Sequence, residues 1–363
     1  MVSEPVTGAW RAPDHPGRRQ WATGGPIRTE AGGLLPAFSL AYETWGTLNS
    51  DASNAVLAEH ALTGDSHAAG PAGPGHVTPG WWDGLIGPGK ALDTGEFFVV
   101  VPNVLGGCQG STGPSSPDGD GKPWGSRFPS LTTRDLVAAE TMLADTLGIE
   151  RWAAVVGGSM GGMRALEWAV TWPSRVGALL VLASTARASA EQIAWASPQL
   201  HAIRSDPAWH GGDFYDAAEG PHRGLGIARR IAHVTYRSEP ELAERFGRQR
   251  QPDGRFAVES YLDHHADKLV RRFDAGSYVV LTESMNAHDV GRDRGGVAAA
   301  LSRVTARTIV AGVDSDRLYP LAQSRALAEG IGGEAAVVSS PYGHDSFLIE
   351  TDQISALVKT LLN

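Results

Sequence analysis

Short apolar runs rich in Val, Ala and Leu recur along this chain, each closed by Gly, Asn, Asp or Ser and most followed by helical periodicity. Runs without polar alternation are buried on both faces, and strands covered on both faces belong to parallel sheets crossed by helices. The pattern commits most of the chain to an α/β architecture with a mainly parallel sheet. It predicts strands over residues 37–45, 55–62, 97–102, 152–157, 178–183, 308–313 and 335–339, and helices over 132–147, 161–171, 321–329 and 351–362.

Two stretches break the alternation. Residues 68–128, outside the strand at 97–102, are dense in Gly, Pro, Ser and Trp (GPAGPGHVTPGWWDG; GGCQGSTGPSSPDGDGKPWG). Such text makes long ordered loops over a site or surface linkers, and Trp81, Trp82 and Trp124 favour order. From Ala186 to Ala300 the strand signal fades into charged, helical text (RGLGIARRIAHVTYR, PELAERFGRQR, YLDHHADKLVRRF). At 363 residues the chain exceeds the usual length of one domain. The organisation expected is a core of residues 1–185 and 301–363, with 186–300 inserted as a helical cap or lid.

The sequence Gly157-Gly158-Ser159-Met160-Gly161-Gly162 contains G-x-S-x-G, a weak signal alone: with 45 glycines, about 0.4 matches are expected by chance. Its setting carries more. Trp152 to Val156 reads as a buried strand and MRALEWAV as a helix, the strand-turn-helix context that holds a serine Oγ out at a strand's C-terminal end. The turn is tight, and side chains at 157, 161 or 162 would collide with strand and helix neighbours. A glycine-rich turn with a capping serine is the bland alternative.

A serine needs a base to take its proton, and the base needs an acid to fix its tautomer. In folds that use this elbow the order is Ser, then Asp or Glu, then His. Of 12 histidines only His344 lies beyond the strand at 308–313, in a loop directly after the last strand. The acid should follow the strand TIVAGV, where Asp314 and Asp316 both stand; periodicity does not choose between them. The oxyanion hole requires two backbone N–H donors, expected from Met160, after the nucleophile, and Leu62, in the loop after an earlier strand. Together these predict an α/β-hydrolase fold: a mostly parallel central sheet flanked by helices, with a helical cap insertion.

Other chemistries lack support. A net charge of -9 gives no basic field for nucleic acid. Cys108, the one cysteine, excludes an internal disulfide and a zinc site of several thiolates, fits a reducing cytosol, and reads as a buried small residue. No metal site is expected: there is no H-E-x-x-H, and no G-x-G-x-x-G follows a strand. GLIGPGK (84–90) nearly fits a phosphate loop, but Ala91 stands where a magnesium-binding Ser or Thr belongs. The N-terminus MVSEPVTGAWRAPDHPGRRQW has no apolar core of a signal peptide and no later run spans a bilayer, so a cytoplasmic protein with no membrane partner is expected.

Six ordered motifs, AEHALTGDSH (58–67), PNVLGGCQGSTGPSS (102–116), GGSMGGMRALEW (157–168), GIARRIAHVTYR (226–237), DSDRLYP (314–320) and YGHDSFL (342–348), resemble the homoserine O-acetyltransferases over nearly the whole chain. The resemblance implies acetyl transfer from acetyl-CoA to the hydroxyl of L-homoserine, the entry to methionine biosynthesis, by a ping-pong cycle with no bound cofactor. It implies Asp316 as the triad acid with Ser159 and His344, and Arg229 and Asp345 as substrate contacts. Guanidinium suits homoserine's carboxylate and carboxylate its ammonium; pattern alone does not separate Arg229 from Arg230. It also implies a homodimer through the cap. Succinyl transfer, transfer to serine, and a serine esterase on the same fold are the competing readings.

Overall fold

The computed structural model describes residues 5–10 and 15–363; residues 1–4 and 11–14 of the stretch read for a leader lie outside them. The strands, in chain order, are β1 (Gln20–Gly24), β2 (Ile27–Arg28), β3 (Leu34–Leu35), β4 (Phe38–Trp45), β5 (Ala55–Glu59), β6 (Ile86–Gly87), β7 (Leu92–Asp93), β8 (Phe98–Pro102), β9 (Ala154–Gly158), β10 (Ala178–Leu182), β11 (Arg307–Val313) and β12 (Ala336–Val338). Eight build one sheet in the order β1-β4-β8-β5-β9-β10-β11-β12. Neighbours from β8 to β12 pair in parallel, while β1 and β4 are antiparallel. β5, β9 and β10 are buried at every position, as runs without polar alternation require.

The flanking helices are α1 (Thr133–Thr146) and α2 (Met160–Thr171); α3 (Ala190–Arg204), α4 (His222–Tyr236), α5 (Glu239–Phe246), α6 (Ala257–Val270), α7 (Ala275–Asn286) and α8 (Val297–Leu301), all between β10 and β11; then α9 (Leu321–Ile331), α10 (Ser346–Ile349) and α11 (Thr351–Leu362). On one face Leu136, Leu143, Leu166 and Leu327 bring α1, α2 and α9 against the sheet. On the other, Ile354, Val358 and Leu361 of α11 pack with Trp82, Leu85 and Ile86. A capping box starts α1: Asp135 N–H donates to the Thr132 hydroxyl, and the Asp135 carboxylate accepts the Thr132 N–H at 2.8 Å.

The glycine- and tryptophan-rich stretch is ordered by its indoles. Trp82 is buried and donates to the Phe347 carbonyl at 3.1 Å, and Trp81 donates to the Asp65 carbonyl at 2.9 Å. The inserted segment is helical, with α4 packed on α3 and α6. The structure adds the two-residue strands β2, β3, β6 and β7 and shifts several element ends by one or two residues, and two larger differences from the sequence expectation have a visible cause. β1, an edge strand exposed at three of its five positions, has no apolar run to announce it, and β5 stops at Glu59 rather than 62. The next carbonyl, of His60, accepts the Arg164 guanidinium at 3.0 Å, so the chain leaves the ladder there and Leu62 stands in a loop.

Candidate active site

The carboxyl ends of the parallel strands carry the polar residues, as an open sheet with a switch in strand order requires. Ser159 follows β9, residues 60–63 follow β5, Asp316 follows β11, and His344 follows β12.

Ser159 has φ 57° and ψ −124°, a backbone region that non-glycine residues enter only when their surroundings impose it. What imposes it is the approach of strand and helix. A Cβ on Gly157 would lie 2.3 Å from the Gly161 carbonyl oxygen, and one on Gly161 would lie 2.1 Å from the Glu59 carbonyl oxygen. Both contacts are to backbone and neither can yield. The Ser159 N–H donates to Leu182 at 2.9 Å and its carbonyl accepts the Ser184 hydroxyl at 2.9 Å, which locks the turn.

His344 Nε2 stands 2.9 Å from Ser159 Oγ, and His344 Nδ1 stands 2.7 Å from Asp316 Oδ2. All three side chains are buried. The partners set the tautomer: Nδ1–H donates to the carboxylate, leaving Nε2 to accept the serine proton. Burial disfavours the imidazolium, but the charge and hydrogen bond of Asp316, with the charge of Asp345, outweigh it and raise the His344 pKa above the ordinary imidazole value. Asp314, two residues from Asp316, points elsewhere, accepting the Ser339 hydroxyl at 2.8 Å and the Ser340 N–H at 3.1 Å.

A cavity of about 300 Å³ opens over Ser159 and His344, bordered by Leu62, Thr63, Arg229, Tyr236, Arg237, Arg272 and Asp345. Among the described residues, neither the Leu62 nor the Met160 N–H donates to a protein acceptor. Arg229 lies over the Tyr236 ring and reaches the Thr63 hydroxyl at 3.4 Å, and its buried Nε has no partner among the described residues. Arg230 instead donates to Asp263 at 2.8 Å, outside the cavity lining. Asp345 is 3.4 Å from Arg237. Burial raises its pKa, opposed by Arg237, His344 and Arg229. His265 is pushed down to about 4 by burial and by Arg229, so this wall's positive charge belongs to its arginines and Lys268.

Arg237, Arg272, Tyr236 and Tyr319 were not singled out by sequence. Tyr319 stacks on the His344 ring at 5.0 Å, and Arg272 donates to the Thr63 carbonyl at 2.8 Å. Their motifs, HVTYR for Tyr236 and Arg237, DRLYP for Tyr319 and KLVRRF for Arg272, were visible, but nothing in the spacing marks which way a ring or guanidinium turns. Cys108 is buried, and burial pushes its thiol far up, away from nucleophilic use.

A second buried cluster borders no part of this cavity. His67 Nδ1 and His76 Nε2 lie 3.2 and 3.5 Å from the same oxygen of Glu43. The rings are parallel, 3.7 Å and 9° apart. The three ligand atoms lie within 4.8 Å of one another, a spacing that could hold a metal ion, and both imidazoles lean on one carboxylate oxygen.

Residues 54–351 match the model of the alpha/beta hydrolase fold family. The homoserine O-acetyltransferase of Thermobifida fusca (strain YX) is 67% identical over 368 aligned positions, covering 99% of this chain and 97% of the relative. Among solved structures, esterase E22 superposes with TM-score 0.88 at 25% identity, covering 95% of this chain and 99% of the other. Homoserine O-acetyltransferase from Bacillus anthracis superposes with TM-score 0.85 at 28% identity, covering 95% and 97%. Fold alone does not separate esterase from transferase, but identity over nearly the full length of both chains does: this chain belongs to the α/β-hydrolase fold family and, within it, to the homoserine O-acetyltransferase family.

Proposed function

We propose that this protein transfers an acetyl group from acetyl-CoA to the side-chain hydroxyl of L-homoserine through an acetyl-Ser159 intermediate, with no bound cofactor. The observation that carries the reading is the hydrogen-bonded chain Asp316, His344, Ser159 at the base of a cavity whose wall holds Arg229 and Asp345.

In this reading His344 Nε2 takes the Ser159 proton as Oγ attacks the thioester carbonyl. The oxyanion forms between the N–H groups of Met160 and Leu62. Collapse breaks the C–S bond, and the imidazolium gives its proton to the CoA sulfur. Homoserine's hydroxyl then loses its proton to His344 and attacks the acetyl carbon, and a second collapse releases O-acetylhomoserine and returns the proton to Ser159. Arg229 would take homoserine's carboxylate, a role supported by its Nε having no partner among the described residues, and Asp345 its ammonium. The inserted helices α3 to α8 would act as the cap that keeps water from the acyl-enzyme. A cytoplasmic location and pairing of two copies through the cap belong to the same reading, the pairing supported by the exposed Ile193 on α3 and Ile227 on α4.

Intact-protein mass spectrometry after acetyl-CoA alone tests it: an acetyl adduct on wild type and none on Ser159→Ala is expected. The likeness to esterase E22 favours a second reading, hydrolysis by the same triad. Following free thiol with and without homoserine separates the two, since release that ignores homoserine removes the transferase.

A further inference from the structure

We propose that His60 is a positioning residue of the oxyanion hole, its imidazole clamping the Ala61–Leu62 peptide so that the Leu62 N–H faces the reacting acyl oxygen. The inference rests on the reading of Leu62 as the second oxyanion donor.

His60 is buried at the end of β5. Its Nε2 accepts the Val104 N–H at 3.0 Å, which places the ring proton on Nδ1, and Nδ1 lies 2.7 Å from the Ala61 carbonyl oxygen. In a trans peptide the C=O and the following N–H share one plane and point in opposite directions. Holding the Ala61 oxygen therefore aims the Leu62 N–H the other way. The Gly64 N–H donates to the same oxygen at 2.9 Å, so one end of this peptide unit has two donors, while the Leu62 N–H at the other has no protein acceptor among the described residues and belongs to a residue that lines the Ser159 cavity. Donation to the carbonyl also polarises the amide and strengthens the N–H at its far end.

The residue is itself held. Arg164, paired with Glu59 and Glu140 at 2.8 Å each, donates to the His60 carbonyl at 3.0 Å, and Gly161 packs against the Glu59 carbonyl. Burial, with the Arg164 charge beside it, keeps the His60 pKa well below the ordinary imidazole value, so one neutral tautomer serves across the working pH range. A space-filling role would need neither nitrogen.

The two nitrogens can be tested separately, because an Asn carboxamide places its N–H near Nδ1 and a Gln carboxamide places its polar end near Nε2. His60→Gln should lower kcat by on the order of 100-fold, the loss typical of one oxyanion donor, with KM for acetyl-CoA and homoserine changed little. His60→Asn should recover most of that loss. The same contrast should appear in the acylation burst with 4-nitrophenyl acetate, which needs neither CoA nor homoserine. Equal losses in the two variants, or losses confined to KM, would overturn the proposal. Should either variant fail to fold, nitrogen-15 histidine spectra of the wild type decide: His60 must appear as the non-titrating Nδ1–H tautomer, and an Nε2–H tautomer refutes the clamp. Wild-type protein that shows the burst yet releases no thiol in response to homoserine would end the transfer reading and leave the His60 contrast standing.

Discussion

Asp316 reaches His344 with one oxygen only: Oδ2 lies 2.7 Å from Nδ1, while Oδ1 accepts the N–H groups of Leu318 and Tyr319 at 2.8 and 2.9 Å. The carboxylate is thereby fixed against rotation, and the imidazole it holds is fixed with it.

Replacing that acid separates it from its neighbour. Asp316→Asn should lower kcat by on the order of 10⁴, the effect of a misassigned tautomer, while Asp314→Asn, which loses only bonds to Ser339 and Ser340, should leave turnover within about tenfold. Steady-state rates on purified variants check this, and the reverse ranking would move the acid two residues upstream.

The pH profile follows from the His344 shift. A base must be neutral to work, and the Asp316 carboxylate raises the imidazole pKa. The acid limb of kcat/KM should lie above pH 6.5, the ordinary histidine value. Removing the carboxylate removes the main raising influence, so in Asp316→Asn the limb should move to lower pH as the plateau falls. A limb that stays in place would show that another group controls it.

Arg229 and Arg230 are adjacent yet face different partners, the cavity and Asp263. Arg229→Ala should raise the homoserine KM by on the order of 10- to 100-fold, as expected for a lost charge-assisted contact, and Arg230→Ala should not. Initial rates against homoserine concentration distinguish them; equal effects would remove Arg229 as carboxylate ligand.

Arg164 carries two buried carboxylates, Glu59 and Glu140. Arg164→Met strands both, so a destabilisation of about 3–5 kcal/mol at neutral pH is expected. Burial, and the neighbouring Glu140, already raise the Glu59 pKa against the pull of Arg164. Protonation as pH falls should therefore neutralise the stranded pair, and the deficit should shrink in mildly acidic buffer. Denaturant melts at two pH values measure it, and a deficit independent of pH would contradict the electrostatic cause.

Much of the fold was legible because its signals are local. Apolar runs, capping residues and glycines at 157 and 161 act through bonds and neighbours a few residues away, so β9, α2 and the turn at Ser159 could be read directly. Chain order selected His344. The short edge strand β1 and the end of β5 at Glu59 were not legible, since one depends on pairing with β4 and the other on a guanidinium 105 residues onward.

What the sequence by itself determined is the strand-turn-helix that presents Ser159, the loop that carries His344, and, with the family motifs, the kind of chemistry to expect. Residue pattern left Asp314 beside Asp316 and Arg230 beside Arg229, a choice only the resemblance made; the tertiary structure brings Asp316 to the imidazole and Arg229 to the cavity, and it alone decided that His60 bonds the Ala61 carbonyl with its ring proton fixed by Val104. The reason is physical: neighbouring residues of one type share a local pattern, and only the approach of segments distant in the chain fixes which side chain has a partner.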